Sequence, residues 1–268
     1  MGLTVFRRVT QVSAIAFIIA IPLLSRDGIT FLAGNLYSLA IGPVTVADPL
    51  IGFQVIISTL SFEKTLLLSM IIPLCLALVF GKVFCSWICP QNTISEYIDF
   101  LSRKTGMRRL FLMPVTAKPR YVILMVLFLL TPLAGFPLAA ILSAPGIISL
   151  QPVRYVYEGA AGLELGLIGA IVLAEMLFAR RLWCNYVCPI GSFLGIFRLG
   201  MTLKVVHRGD KPQPCMKCLE CVKACQLGLN PMGGKIYPLC HNCGDCVAAC
   251  ERMNGPAKPL SFRFSRNA

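Results

Sequence analysis

The last quarter of the chain contains the stretch CMKCLECVKACQLGLNPMGGKIYPLCHNCGDCVAAC, which runs from Cys215 to Cys250. It consists of two consecutive C-x2-C-x2-C-x3-C runs. This spacing is typical of [4Fe–4S] ligands, because three closely spaced thiolates can bind three corners of one cubane. The alternatives are zinc, whose sites more often show paired C-x2-C motifs, and disulfides. We therefore predict two [4Fe–4S] clusters in this stretch.

The eight cysteines of this stretch divide into two sets, because the fourth cysteine of such a run usually ligates the other cluster. We predict that the cluster-1 cysteines are Cys215, Cys218, Cys221 and Cys250. The cluster-2 cysteines are then Cys225, Cys240, Cys243 and Cys246. Cluster ligation needs reduced thiols, which suits a cytosolic location. His241 is expected to be an exposed loop residue and not a ligand.

The composition of the remaining chain indicates a membrane protein. Hydrophobic residues make up 56% of the 268 residues and charged residues 14%, with a mean hydropathy of +0.74. A soluble domain carries about 25% charged residues. Four stretches are long and apolar enough to span a bilayer, or nearly so, at about 20 residues each. They are Val9–Leu24, Thr65–Phe84, Tyr121–Leu142 and Ala160–Ala179.

These stretches predict a mainly α fold in two domains. Residues 1–200 would form a four-helix transmembrane unit, and residues 201–268 a small two-[4Fe–4S] ferredoxin-like domain. The first helix resembles a signal peptide but lacks a small-residue cleavage site, so we expect it to remain as a span. Residues 35–60 are expected to form a membrane-surface or partly re-entrant loop.

The distribution of basic residues predicts the orientation in the membrane. With four spans, 22 of the 25 Lys and Arg residues lie on the side of both termini, and 3 on the other. Such a bias marks the cytoplasmic side. It also accounts for the net charge of +13, so no nucleic-acid partner is expected. We predict a multi-pass protein of the bacterial inner membrane with cytoplasmic termini and clusters.

A ten-residue segment occurs twice, as GKVFCSWICP at 81–90 and as RRLWCNYVCP at 180–189. Each copy follows a helix that runs from outside to inside. The first two and the last two helices therefore look like two copies of one hairpin in the same orientation. A parallel repeat implies a pseudo-twofold axis along the membrane normal. That axis would bring the two Cys-x3-Cys-Pro motifs together at the inner surface.

The four cysteines of these motifs form a second candidate site. Within each motif, a four-residue spacing places both sulfurs on one helix face. The members are Cys85, Cys89, Cys184 and Cys188. If they converge, they are the complement for a third [4Fe–4S] cluster. A redox-active dithiol pair and a docking surface for another electron carrier remain open alternatives.

Glu175 is the candidate catalytic residue, because carboxylates within a membrane are costly and often functional. It precedes Cys184 by nine residues, or about 14 Å along a helix. It could accept a proton from quinol near a cluster. Alternatively, it is a structural residue near the interface that pairs with Lys82 or Arg180.

Taken together, these features resemble the NapH family, the membrane ferredoxin-type subunits of the periplasmic nitrate reductase system. The shared features are the four spans, the paired Cys-x3-Cys-Pro motifs, the two-cluster tail, the Asn35-Leu-Tyr-Ser segment and the Asp48-Pro49 stretch. The resemblance extends to MauN of methylamine utilisation and to the membrane core of NosR. The proline that usually follows the fourth cysteine is missing after Cys225 and Cys250, which leaves the subgroup open.

The resemblance implies an electron-transfer subunit of a quinol dehydrogenase. Electrons would pass from menaquinol or ubiquinol toward a periplasmic reductase such as nitrate reductase. The partners would be ferredoxin-like (NapG-type) subunits, multihaem c-type cytochrome subunits or both. A second hypothesis is an assembly or reactivation factor for a periplasmic metalloenzyme, as in the methylamine dehydrogenase system.

Overall fold

The computed structural model describes most of the chain. The described residues are 2–28, 31–104, 116–178, 181–197, 201–207, 215–233, 236–255 and 259–265. Ala179, the last residue of the fourth predicted span, and Arg180, the first residue of the second motif, lie outside these ranges, as do eight other Lys and Arg residues of the orientation count. The fold is mainly helical.

The first half combines apolar helices with a small sheet. Its elements are α1 (Gly2–Arg26), β1 (Leu32–Gly34), β2 (Ser38–Ile41), β3 (Val44–Ala47), α2 (Pro49–Thr59), α3 (Lys64–Phe80), α4 (Val83–Trp87) and α5 (Pro90–Lys104). The three strands form an antiparallel sheet in the order β1-β2-β3. Asp48 starts α2, because its carboxylate accepts a 2.9 Å hydrogen bond from the N–H of Leu50. The segment predicted as a loop is thus a sheet followed by an apolar helix.

The second half repeats this order without the sheet. Its elements are α6 (Lys118–Ala134), a 3₁₀ turn (Leu138–Ala140), α7 (Ala144–Glu158), α8 (Glu164–Leu177), a π-helical turn (Trp183–Val187) and α9 (Pro189–Ile196). Ser143 caps α7 by accepting a 3.3 Å hydrogen bond from the N–H of Gly146. Capped starts with an early proline are therefore common to α2 and α7.

Residues 201–268, called the tail below, fold around a two-stranded antiparallel sheet. The elements are β4 (Thr202–His207), α10 (Glu220–Lys223), α11 (Asp245–Asn254) and β5 (Leu260–Ser265). The register pairs Val205 with Phe262. Val205 and Leu260 pack with Leu227, Leu229 and Ile236 into a core that also contains cysteines of both sets.

The two halves exchange matching helices. In the first half, α2 packs against α6 and α9 of the second half. Conversely, α7 packs against α1 and α5 of the first half. The central core contains Leu50 from α2 and Phe193 from α9.

Among the described residues, one helix, Gly2–Arg26, is long and apolar enough to cross a membrane. The helices at the other three predicted spans are shorter than expected: α3 and α6 have 17 residues each and α8 has 14. Glycines explain two of these early ends. Gly81 has φ 65° and ends α3, and Gly135 has φ 73° and ends α6 in the left-handed region. The four-span unit therefore stays a prediction.

Candidate iron–sulfur sites

Each Cys-x3-Cys-Pro motif is a tight helical turn followed by a new helix. Cys85 lies in α4, and Cys184 lies in the π-helical turn. Cys89 and Cys188 directly precede α5 and α9, which both begin with the proline of the motif. Proline is favoured there because the first helical position has no hydrogen bond to lose. The prolines thus start new helices at the site.

The starts of α5 and α9 direct backbone N–H groups at the second cysteine of each motif. N–H groups from the first turn of α5 donate to the sulfur of Cys89. Those from the first turn of α9 donate to the sulfur of Cys188. Such donors, together with the positive end of a helix, favour a thiolate over a thiol. Thiolate is the form that ligates metal.

The four motif cysteines, called the junction cysteines below, interact across the two motifs. Burial and, next, the Cys188 sulfur of the other motif raise the pKa of Cys85 to about 12. Burial also raises the pKa of Cys89 and of Cys184, and the Cys188 sulfur again adds to both shifts. Buried thiolates this close together need positive charge between them, which the iron atoms of a cluster would supply.

Two buried cations flank the junction cysteines. The charges of Lys82 and Arg120 both act to lower the pKa of Cys85 and of Cys188. Arg120 is 3% exposed and donates a 3.1 Å hydrogen bond to the carbonyl oxygen of Cys184. A cluster held by four thiolates has a net negative charge, so these cations suit it.

Two glycines of α9 make room for these cations. A Cβ on Gly191 would lie 3.2 Å from Nη2 of Arg120 and 3.9 Å from Sγ of Cys188. A Cβ on Gly195 would lie 2.9 Å from Cε of Lys82. The glycines therefore allow both cations to approach the helix beside the cysteines.

The grouping of the tail cysteines into two sets stays a prediction. Burial raises the pKa of Cys221, and the sulfurs of Cys250, Cys215 and Cys218, the other cluster-1 cysteines, also act to raise it. Cys221 also acts on Cys246 of the other set, so the two sets adjoin. Their helices α10 and α11 pack against each other.

The cluster-2 cysteines line one apolar cavity in the tail. The cavity walls include Cys225, Cys240, Cys243 and Cys246, together with Val205 and other apolar side chains. Burial raises the pKa of Cys246, and the other three sulfurs raise it further. A cavity with four thiols on apolar walls fits a [4Fe–4S] cluster.

Backbone amides in the tail also donate to cysteine sulfurs. The N–H of Leu229 lies 3.3 Å from Sγ of Cys225, and that of Asn242 lies 3.5 Å from Sγ of Cys240. Asn242 has φ 57° and Gly244 φ 84°. Left-handed residues turn successive N–H groups toward one point, which is how a backbone binds anionic groups.

Within the described ranges, no group of three or more Cys, His, Asp or Glu residues is close enough to hold a metal ion. This finding concerns a single ion. A cubane presents an iron atom at each of four corners, so its thiolates are spaced more widely than the ligands of one ion.

The tail docks on the first Cys-x3-Cys-Pro motif. Nζ of Lys82 donates a 2.6 Å hydrogen bond to the carbonyl oxygen of Pro238. The hydroxyl of Ser86 donates one of the same length to the carbonyl of His241. Nε1 of Trp87 donates to the carbonyl of Asn242 at 3.3 Å. The segment Pro238–Asn242, which contains Cys240 and is called the cluster-2 loop below, is therefore fixed directly against the first motif.

The expectation for His241 is wrong. Its side chain is 5% exposed, and neither ring nitrogen has a hydrogen-bond partner among the described residues. It is buried because the first motif covers this loop. That contact joins residues 155 positions apart, so no local sequence pattern signals it.

A buried ion pair joins the N-terminal helix to the tail and to α5. Arg7, 1% exposed, lies 2.9 Å from a carboxylate oxygen of Asp245 and 3.4 Å from one of Glu96. Arg8 pairs with the other oxygen of Glu96 but is half exposed. In the sequence, both arginines contribute only to the charge bias that predicts orientation. Their different burial depends on which helix face meets the tail.

Glu175 is buried in α8, at 2% exposure, close to the second motif. It lies within hydrogen-bonding reach of Ser95, and Arg181 is a nearby cation. Its Oε1 has no hydrogen-bond partner among the described residues. Arg180, one of its predicted partners, lies outside those residues, and Lys82 contacts the tail. Both readings of Glu175 therefore remain predictions.

Comparison with known proteins assigns the family. A family described as a 4Fe-4S binding domain matches residues 64–108 and 161–205, which contain one Cys-x3-Cys-Pro motif each. The chain is 29% identical to the ferredoxin-type protein NapH of Haemophilus influenzae, over 91% of this chain and 85% of that protein. It is 27% identical to NapH of Escherichia coli, over 92% and 86%.

A third relative has a slightly higher sequence identity than these two. The methylamine utilization ferredoxin-type protein MauN of Methylorubrum extorquens is 31% identical over 82% of this chain and 73% of that protein. No solved structure matches the chain. The chain belongs to the NapH/MauN family of ferredoxin-type proteins.

Proposed function

We propose that this chain is a membrane iron–sulfur electron-transfer protein that serves as a subunit of a quinol dehydrogenase. The observation that carries the proposal is the junction. There, four buried or partly buried cysteines from two repeats converge, and the cluster-2 loop of the tail is hydrogen bonded to one of the repeats. A set of thiols at the end of apolar helices, in contact with a second set, suits electron transfer out of a membrane.

The proposed ligands form three sets. The junction cysteines would bind one [4Fe–4S] cluster, and the cluster-1 and cluster-2 cysteines one each. When bound, these clusters supply one-electron transfer. The chain itself supplies buried thiolates, amide donors at helix starts and the cations Lys82 and Arg120. The matches to a 4Fe-4S binding domain at both motifs support the junction site.

The order of the sets follows from the contacts. The cluster-2 loop touches the first motif through Ser86 and Trp87. The cluster-1 set adjoins the cluster-2 set through Cys221. These contacts support an order in which the cluster-2 ligands lie between the junction cysteines and the cluster-1 ligands.

We propose four membrane spans built on α1, α3, α6 and α8, with the tail on the cytoplasmic side. Each of these helices exposes large apolar side chains along its length. Val12, Leu68, Leu129 and Leu173, one from each helix, are all more than half exposed. Contact of these side chains with lipid carries no free-energy penalty, whereas contact with water does. The surplus of basic residues beyond the inner ends of the helices supports the orientation.

Quinol would bind near the second motif, where Glu175 is buried. Quinol oxidation releases protons as well as electrons, and a carboxylate with an unpartnered oxygen can accept one. Ser95 and Arg181 would position the carboxylate. Electrons would continue to ferredoxin-like or multihaem c-type partner subunits toward a periplasmic reductase.

One observation favours a second candidate function. The relative from Methylorubrum extorquens is named for methylamine utilization and not for nitrate reduction. The same electron-transfer unit could therefore serve the maturation or reactivation of a periplasmic metalloenzyme. Quinol oxidation by the purified chain with its partner distinguishes a respiratory subunit from a maturation factor.

Iron content tests the proposal. We expect about twelve irons per chain after anaerobic purification, and about eight after the four junction cysteines are changed to serine. Cys75→Ser provides the control, because Cys75 is an exposed cysteine of α3 outside all three sets. It should keep the full iron content. Equal iron in the wild type and the fourfold variant would reject the junction cluster.

A further inference from the structure

His241 is a buried polar side chain without a visible partner. It is 5% exposed, and both of its ring nitrogens lack hydrogen bonds among the described residues. Buried polar groups are almost always hydrogen bonded, and an exception calls for a missing partner. The question is which group completes the site.

The position of the ring limits the answer. His241 lines the cavity that the cluster-2 cysteines share. Its carbonyl oxygen is held at 2.6 Å by Ser86 of the first motif, which fixes the backbone of the residue. The side chain therefore stands at the wall between the cluster-2 cavity and the junction.

The ring can donate a hydrogen bond in either protonation state. A neutral imidazole has one N–H donor and one acceptor, and an imidazolium has two N–H donors. The sulfurs of an iron–sulfur cluster accept such hydrogen bonds, and these bonds tune its reduction potential.

We propose that the ring N–H of His241 donates a hydrogen bond to a sulfur atom of the [4Fe–4S] cluster held by the cluster-2 cysteines, and that this bond raises the reduction potential of that cluster. The inference rests on the proposed function, since it needs the cluster to be bound. In this role His241 is a positioning residue and not a ligand. It makes the cluster nearest the junction a better electron acceptor.

Redox titration followed by EPR tests the effect on potential. His241→Phe fills the ring volume without a donor, and His241→Gln restores one. Loss of one hydrogen bond should lower the reduction potential of one cluster by up to about 59 mV. For one electron, this equals about a tenfold change in the equilibrium constant for reduction. His241→Gln should recover part of the shift. Unchanged potentials in His241→Phe at full iron content would overturn the inference but leave the proposed function intact.

A second measurement uses the wild-type fold. Histidine labelled with ¹⁵N in the ring should show hyperfine coupling to a reduced cluster. The chain has two histidines, so labelled His207→Phe assigns the coupling. Coupling that persists in His207→Phe supports the proposal, and its absence contradicts it. Loss of about four irons in both His241 variants would mark the residue as a ligand and also contradict it. Iron missing from the wild type would instead defeat the proposed function.

Discussion

The two Cys-x3-Cys-Pro motifs have nearly the same sequence but different surroundings. The first motif faces the tail, because its residues Lys82, Ser86 and Trp87 donate hydrogen bonds to backbone carbonyl oxygens of the tail. The second faces α6 and α8, with Glu175 close to Cys184 and Arg120 bound to the carbonyl of Cys184. Its contact with the tail is between side chains, since Arg181 donates a 3.1 Å hydrogen bond to Gln226. Two copies of a repeat can thus supply a symmetric set of ligands while their different surroundings make the path of the electrons asymmetric. We infer that the second motif is the quinol side and the first motif the exit toward the tail.

Glu175→Gln should give the largest effect on this comparison. If Glu175 accepts the proton of quinol, its loss should slow quinol oxidation about a hundredfold or more. Iron content should stay unchanged, because Glu175 is not a predicted ligand. Stopped-flow reduction of the clusters by quinol measures the rate.

Glu164→Gln is the matched control for Glu175 within the same helix. Glu164 is partly exposed and pairs with Arg154 at 2.7 Å. Its removal should leave the rate within about twofold, because exposed ion pairs contribute about 0–1 kcal/mol. Equal rates for the two variants would remove Glu175 from the mechanism and weaken the assignment of the second motif to quinol.

Arg7→Gln should have the next largest effect, on the attachment of the tail. Removing one partner of a buried ion pair costs about 3–5 kcal/mol, because the other charges stay buried. Arg7 links Asp245 of the tail to Glu96 of α5. We expect a large loss of thermal stability and easier proteolysis between α9 and the tail.

The adjacent Arg8→Gln variant controls for charge. Arg8 also pairs with Glu96, but it is half exposed. A change of about 0–1 kcal/mol is expected. Thermal unfolding in the same detergent compares the two variants. If Arg8→Gln were as unstable as Arg7→Gln, net charge and not the buried pair would explain the effect.

Gly146→Ala should be more destabilising than Gly52→Ala, although both glycines lie early in the exchanged helices α7 and α2. A Cβ on Gly146 would lie 2.0 Å from the ring of Tyr37, which is rigid. A Cβ on Gly52 would lie 2.2 Å from the sulfur of Met70, whose flexible chain can move. Overpacking costs about 1–3 kcal/mol, and we expect Gly146→Ala at the upper end.

Thermal unfolding of the two glycine variants ranks them. Gly166→Ala is a useful reference, because a Cβ there meets nothing within 4 Å. It should be neutral or slightly stabilising in the first turn of α8. A ranking with Gly52→Ala as the least stable would show that the ring of Tyr37 adapts better than Met70.

The features that depend on local spacing could be predicted from the sequence. The approach of Cys85 to Cys188 follows from a repeat, whereas the crossed grouping of Cys225 with Cys246, read from short motifs, stays a prediction. Helix ends were overextended at Gly81 and Gly135, although glycine is a known helix terminator. The exchange of α2 and α7 and the burial of Arg7 and His241 could not be predicted, because they depend on contacts between distant segments.

Ser86→Ala tests the contact between the first motif and the tail, and its expected effect on stability is the smallest of those predicted. The change leaves the buried carbonyl of His241 without its 2.6 Å donor, which should cost about 1 kcal/mol. We expect faster amide hydrogen exchange in the loop from Leu239 to Cys243. Ser192→Ala is the control in the second repeat, since Ser192 of α9 accepts a hydrogen bond from Arg120 of α6. If Ser192→Ala loosened the tail loop as much as Ser86→Ala, the two repeats would contribute equally to docking. The asymmetry that assigns the exit to the first motif would then fail, because the second motif, which also reaches the tail through Arg181 and Gln226, would hold the loop as firmly as the first.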